Sequence, residues 1–247
     1  MRPRTIAAIG AARAAGVLVI VVTGRMFRSV RPYVERAGIE EPVVCYQGAA
    51  VVEPGSGRFL LHEPIPLELA REAIAAVAGE GFPINCYVGD ELYVAEDTHW
   101  SRAYADFQHI PVTAVGPLLD WLTEPPTKLV AVGDPGELDA LAARLRAHFA
   151  GRMYISKSLP YFLELASPLV SKGNGLAFVA QRLGFSAAGT VAFGDGENDV
   201  ELLDWAGYGV AVGNAHPALG PRADWACPGP EVEGVAQVVE ALLDSGS

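Results

Sequence analysis

The 247 residues are 51% hydrophobic and 19% charged, which excludes a disordered chain and leaves room for one large domain or two ordinary ones, each with a core. A net charge of −11 excludes the basic surface that nucleic-acid binding needs, yet permits a small anionic ligand held by a local positive field. Cys45, Cys86 and Cys227 are odd in number and far apart, so neither a disulfide framework nor a zinc site is signalled and a reducing cytoplasm is the expected location.

Residues 3–15 read as a helix, with proline at the start, Ile6 and Ile9 on one face and Gly16 placed to end it. Residues 17–22 are a continuous Val, Leu and Ile run, the mark of a parallel strand buried on both faces. The run is far short of the ~20 residues a bilayer demands, so no membrane partner is expected. It ends in the polar turn Thr23-Gly24-Arg25. Residues 26–37 carry helical spacing at Phe27, Val30, Tyr33, Val34 and Ala37, Gly38 closes them, and Pro42 leads into an apolar strand over 43–46. Helix, strand, helix, strand predicts a parallel sheet with right-handed crossovers, and it leaves the first helix with no strand before it.

After Gln47-Gly48 the regular alternation lapses. A turn over 53–57, a short strand at 59–61, a helix over 67–78, a hairpin over 84–95 turning at Gly89-Asp90 and a helix near 100–107 follow one another. A strand at 128–132, a helix over 137–148 and strands at 153–156 and 161–165 complete the stretch. This mixture reads as an α+β module over 53–166, inserted into a parallel-sheet domain built from 1–52 and 167–247. The parallel pattern resumes with a helix over 172–183, N-capped by Ser171 and ended by Gly184. The stretch 190–207, TVAFGDGENDVELLDWAG, then reads as strand over 190–193, tight turn, and helix over 197–206. A strand at 208–212, a short strand at 223–226 and a helix over 232–243 end the chain.

Asp195 falls at the carboxyl end of a strand and Asp199 in the first helical turn after it, the place where open α/β sheets put their ligands. Two hard oxygen donors there suit Mg²⁺, which takes one or two carboxylates together with water and substrate phosphate. They equally suit a turn aspartate and a complement to the helix dipole. Thr23 with Gly24 and Arg25, Gln47 with Gly48, and Lys172 occupy matching strand ends and helix starts. A hydroxyl and backbone N–H groups would hold phosphate oxygens there, and an ammonium would neutralise charge developing in phosphoryl transfer.

With VVTGR at 21–25, SKGNGL at 171–176, FGDGENDVELL at 193–203 and VGNAHPAL at 212–219, the chain resembles the haloacid dehalogenase superfamily in its second, third and fourth motifs. It is most similar to the Cof-type sugar-phosphatase branch, and the likeness covers essentially its whole length. The resemblance implies a Rossmann-like α/β core with an inserted α+β cap, and a Mg²⁺-dependent phosphatase that acts on small phosphorylated metabolites through a covalent aspartyl-phosphate. It implies that Thr23, helped by the Gly24 backbone, binds phosphate and that Lys172 bridges phosphate and nucleophile. Asp195 would ligate Mg²⁺, and Asp199 with Asn198 would complete or orient the metal shell, Asn198 beside the phosphate.

The family's first motif, DxDGT at the end of a strand, has no counterpart, because no Asp precedes Asp90 and no acidic residue precedes Glu35. The first core strand and the attacking Asp are therefore expected to lie outside these residues, and the chain as written to lack full activity. Either a longer reading frame supplies them, or the short chain borrows a strand, as in a homodimer, and serves as a phosphate-binding or regulatory module. A phosphomutase is the rival enzyme. Lesser candidates are His216 in a suspected site loop, Asp90 and Glu91 at the hairpin tip or residues 158–161 facing the leaving group, and Arg25 on a substrate anion or a carboxylate.

Overall fold

Local sequence decides most element boundaries in this computed structural model, which describes residues 1–245, with Ser158 described by its backbone alone. Helix α1 (Pro3–Ala14) starts at its proline, and α2 (Phe27–Arg36) follows. Strands β1 (Val43–Cys45) and β2 (Ala50–Val52) form an antiparallel pair around the 3₁₀ turn Tyr46–Gly48, and β3 (Phe59–His62) completes a sheet of order β1-β2-β3. Helix α3 (Leu67–Gly79) precedes the hairpin of β4 (Ile84–Val88) and β5 (Glu91–Val94). Its turn residues Gly89 and Asp90 have φ of 59° and 62°, as a two-residue type I′ turn requires. Next come α4 (His99–Gln108), β6 (Thr113–Ala114), α5 (Leu118–Trp121), β7 (Lys128–Val132), α6 (Pro135–Phe149), β8 (Tyr154–Leu159) and β9 (Phe162–Ala166). The chain ends with α7 (Lys172–Leu183), β10 (Val191–Gly194), α8 (Val200–Trp205), β11 (Tyr208–Val212), β12 (Trp225–Cys227) and α9 (Gly234–Ser245).

The chain forms two compact units: Met1–Thr23, Val30–Leu60 and the chain from Ser171 onward make the first, Gly24–Ser29 and Leu61–Val170 the second. In the first, β10, β11 and β12 form a parallel sheet with Phe193 opposite Val210 and Val210 opposite Trp225. Helix α1 lies beside α9, fastened by Arg4 Nε donating to Glu240 Oε1 at 2.9 Å.

Two expectations need correction here. Residues 17–22 do not form a strand: a single parallel bridge joins Val22 to Val44, and Val17 and Leu18 are 50% and 45% exposed. β-Branched residues favour extended backbone, but a strand exists only as a ladder, and β1 reaches just the end of this run. Among the described residues no strand pairs with the other edge of 17–22, and β10 is paired on one edge only, by β11. The helix expected over 197–206 is a 3₁₀ turn at Glu197–Asp199 followed by α8, because the Asp199 carboxylate bonds back to the amides before it and tightens the first turn. Strand β2 was not foreseen, since its three apolar residues carry no period of their own.

The second unit is a six-stranded sheet of order β6-β5-β4-β7-β9-β8, antiparallel except for β5 with β6. Helices α3 and α6 press Ile74, Val77, Leu138, Leu141 and Phe149 onto one face, against Cys86, Leu129 and Leu165. Strand alternation sends Tyr87 to the opposite face, where α4 sets Tyr104 against it and against Phe162, with ring centroids 6.3 and 4.7 Å apart.

Candidate active site

Helix α7 begins where Ser171 Oγ accepts the Asn174 amide at 3.0 Å, which starts the helix at Lys172. Its approach to the Tyr46–Gly48 turn depends on Gly48, whose φ is +100°; a Cβ there would sit 2.0 Å from the Ser171 carbonyl oxygen. The Lys172 ammonium is thereby carried into the unit, where Nζ meets Asp199 Oδ1 at 2.5 Å, with both side chains less than a tenth exposed.

The other Asp199 oxygen accepts the amides of Asp195 and Gly196, each at 2.9 Å. Three donors on one carboxylate are what burial of its charge demands. Asn198 donates Nδ2 to Gln47 Oε1 at 2.7 Å, and the Gln47 amide donates to the Thr23 carbonyl at 3.1 Å. Thr23 in turn donates its amide to Val44 at 2.8 Å. Thr23, Gln47 and Asn198 are thus joined by hydrogen bonds, and Asn198 is the chain neighbour of the carboxylate that holds Lys172.

Asp195 differs from Asp199 in being exposed, with Oδ2 accepting Asn214 Nδ2 at 3.1 Å. Its carbonyl accepts the His216 amide at 2.8 Å, which ties the loop after β11 to the loop after β10. Sequence reasoning had assigned no role to Asn214. Its signal was positional: it follows a parallel strand at the same end as Asp195.

Of the residues expected at a site, Thr23, Lys172, Asp195, Asn198 and Asp199 all lie in this first unit. Gly24 packs with the second unit, where its carbonyl accepts Lys128 Nζ at 3.1 Å. His216 caps the 3₁₀ turn Pro217–Arg222, its Nδ1 accepting the Ala218 amide at 3.3 Å. Asp90 accepts the amides of Phe27 and Arg28 at 3.0 and 2.8 Å, and Glu91 pairs with Arg28. Arg25 donates to Ser29 Oγ at 3.1 Å and lies 5.0 Å over the Phe107 ring.

Among the described residues no three or more His, Cys, Asp or Glu side chains converge as a metal cage. Mg²⁺ does not ask for one, since it keeps several waters and takes one or two protein carboxylates. Asp195, exposed and hydrogen-bonded through one oxygen, has the chemistry of a direct ligand, whereas Asp199 is engaged by Lys172 and the two amides. The donor set fits a hard, largely hydrated cation. No helix among the described residues is long and apolar enough to cross a membrane.

The haloacid dehalogenase-like hydrolase profile matches residues 1–239. The pyridoxal phosphate phosphatase YbhA of Escherichia coli is 25% identical over 250 residues, spanning 98% of this chain and 92% of that protein. A haloacid dehalogenase-like hydrolase from Bacteroides thetaiotaomicron superposes with a TM-score of 0.88 at 23% identity, over 98% of this chain and 92% of that one. A HAD/Cof-like hydrolase from Plasmodium vivax superposes with a TM-score of 0.86 at 23% identity, over 98% and 88%. By sequence across its length and by fold, the chain belongs to the haloacid dehalogenase-like hydrolases.

Proposed function

We propose that this chain carries the phosphate- and metal-binding half of a Mg²⁺-dependent phosphatase of small phosphorylated metabolites, sugar phosphates or a vitamin-derived phosphate. The observation that carries the reading is the buried Lys172–Asp199 pair, set against an exposed Asp195 whose own backbone amide Asp199 accepts. A relative named for pyridoxal phosphate supports the substrate class.

In this reading the Thr23 hydroxyl and the Gly24 backbone hold phosphate oxygens, and Asn198 helps to orient them. Lys172 neutralises charge on the transferring group, and Asp199 holds that ammonium in place. Asp195 would hold Mg²⁺, with Asp199 fixing the loop behind it, and the ion would supply further neutralisation of phosphate charge. The attacking carboxylate of an aspartyl-phosphate route is supplied by a segment outside these residues, which hold no acidic side chain before Glu35. The chain by itself then binds phosphate and turns substrate over poorly.

The test is paired. Calorimetry with MgCl₂ and orthophosphate should give binding that Lys172→Ala abolishes. Phosphate release from pyridoxal 5′-phosphate should be weak with this chain and should appear when a strand ending in Asp-x-Asp is added before Met1. Release that is unaffected by Lys172→Ala would sink the reading.

A further inference from the structure

The second unit buries a charge that its own stability does not require. Lys128, the first residue of β7, is 2% exposed, and its Nζ donates to Glu164 Oε1 of β9 at 3.3 Å. The Tyr87 ring centroid is 5.1 Å from the ammonium, and the Tyr87 hydroxyl donates to that of Tyr104. Burial opposes the charge, yet the adjacent Glu164 carboxylate holds the Lys128 pKa above its ordinary value. A well-packed apolar pair would serve the sheet as well or better, since two buried charges lose more solvation than their attraction reliably returns.

Beyond Glu164, Lys128 Nζ also donates to the Gly24 carbonyl at 3.1 Å, 104 residues earlier in sequence and directly after Thr23. Resting on the phosphate-site reading above, we propose that Lys128 is a positioning residue for the Thr23-Gly24-Arg25 turn. A trans peptide holds its C=O and N–H in opposite directions, so tying the Gly24 carbonyl to Lys128 aims the Arg25 N–H the other way and fixes the peptide plane between Gly24 and Arg25.

The rest of Gly24–Ser29 is fastened in the same unit. Asp90 accepts two amides, Ser29 Oγ donates to the Gln108 carbonyl at 2.6 Å, and Arg25 stacks on Phe107. These contacts fix the segment's place, and the Lys128 contact holds the carbonyl of the peptide that joins Gly24 to Arg25. Lys128 thereby acts on the turn through its backbone.

The test uses the full chain. Lys128→Met alone strands the Glu164 carboxylate and can fail to fold, so the decisive protein is Lys128→Met/Glu164→Gln, which replaces the pair by neutral residues of similar size at unchanged net charge. Losing one charge-assisted hydrogen bond that orients the turn should weaken orthophosphate binding with Mg²⁺ by about 10- to 100-fold while the melt stays cooperative. Amide exchange over residues 22–29 should quicken in the same protein. Glu164→Gln alone, which keeps the Lys128 donor and leaves it an amide oxygen to donate to, should melt lower but, at temperatures where it is folded, bind within about twofold of the native chain.

Native-like affinity and exchange in the double variant overturn the proposal, as does an equal loss in Glu164→Gln. Lys172→Ala separates the two readings. If it leaves orthophosphate binding intact, the phosphate site is wrong and the exchange data alone decide on Lys128. If it abolishes binding and the double variant does not weaken it, only the Lys128 assignment falls.

Discussion

Asp195 and Asp199 stand four residues apart and should respond oppositely to substitution. Asp199→Ala removes the partner of a buried ammonium and the acceptor of two amides, a loss of about 3–5 kcal/mol. Asp195→Ala removes an exposed carboxylate and should stay within about 0.5 kcal/mol of the native chain, while Mg²⁺-dependent phosphate binding disappears. Denaturant unfolding and calorimetry on the two variants check both halves. At Gly48 the constraint is backbone: alanine meets both a φ of +100° and the Ser171 carbonyl. The strained φ alone costs about 1–3 kcal/mol, or roughly 2–4 °C per kcal/mol for a chain this size, so Gly48→Ala should lower the melting temperature by several degrees.

At the level of elements, α2 owes its first turn to a residue far along the chain. The Asp90 carboxylate accepts the amides of Phe27 and Arg28, as an N-cap side chain would. Asp90→Ala should therefore cost about 1 kcal/mol, and Asp90→Asn, which tolerates the positive φ, should recover part of it in thermal unfolding. Glu72, midway along α3, takes hydrogen bonds from His148 at the end of α6 and from Arg152 just beyond it. The Arg152 bond leads, and His148 adds to it, in pulling the Glu72 pKa from 4.5 to about 2. A depressed acid stabilises the fold above its unfolded pKa and loses that contribution as pH falls through the folded one. Native and Glu72→Gln proteins should thus differ in stability at pH 6 and converge between pH 4.5 and about 2, by a small amount because the pair is exposed.

For the whole molecule, the consequential feature in the first unit is backbone that no strand among the described residues pairs, along 17–22 and along one side of β10. Such backbone beside exposed Val17 and Leu18 is a template for another strand. Sedimentation velocity should show association that rises with concentration. Leu18→Lys, which places a charge on the edge, should reduce it. A chain extended upstream by a strand should be monomeric and melt higher.

How much was legible beforehand follows from the same physics. The bounds of β7, α7 and β11 could be read residue for residue, because each is bracketed by its own cap, glycine or polar turn and has a period of its own. The motif residues around Lys172 and Asp195 were legible for a similar reason: strand ends and helix starts are local events, and the right-handed crossover brings those ends together. What needed the tertiary structure was every partner. Whether 17–22 becomes a strand depends on a ladder its own residues cannot supply. That Asp199 faces Lys172 and two amides while Asp195 faces solvent depends on the approach of α7, which Gly48 allows. That Lys128 reaches back to Gly24 is a contact between residues 104 positions apart, and no periodicity carries information over that distance.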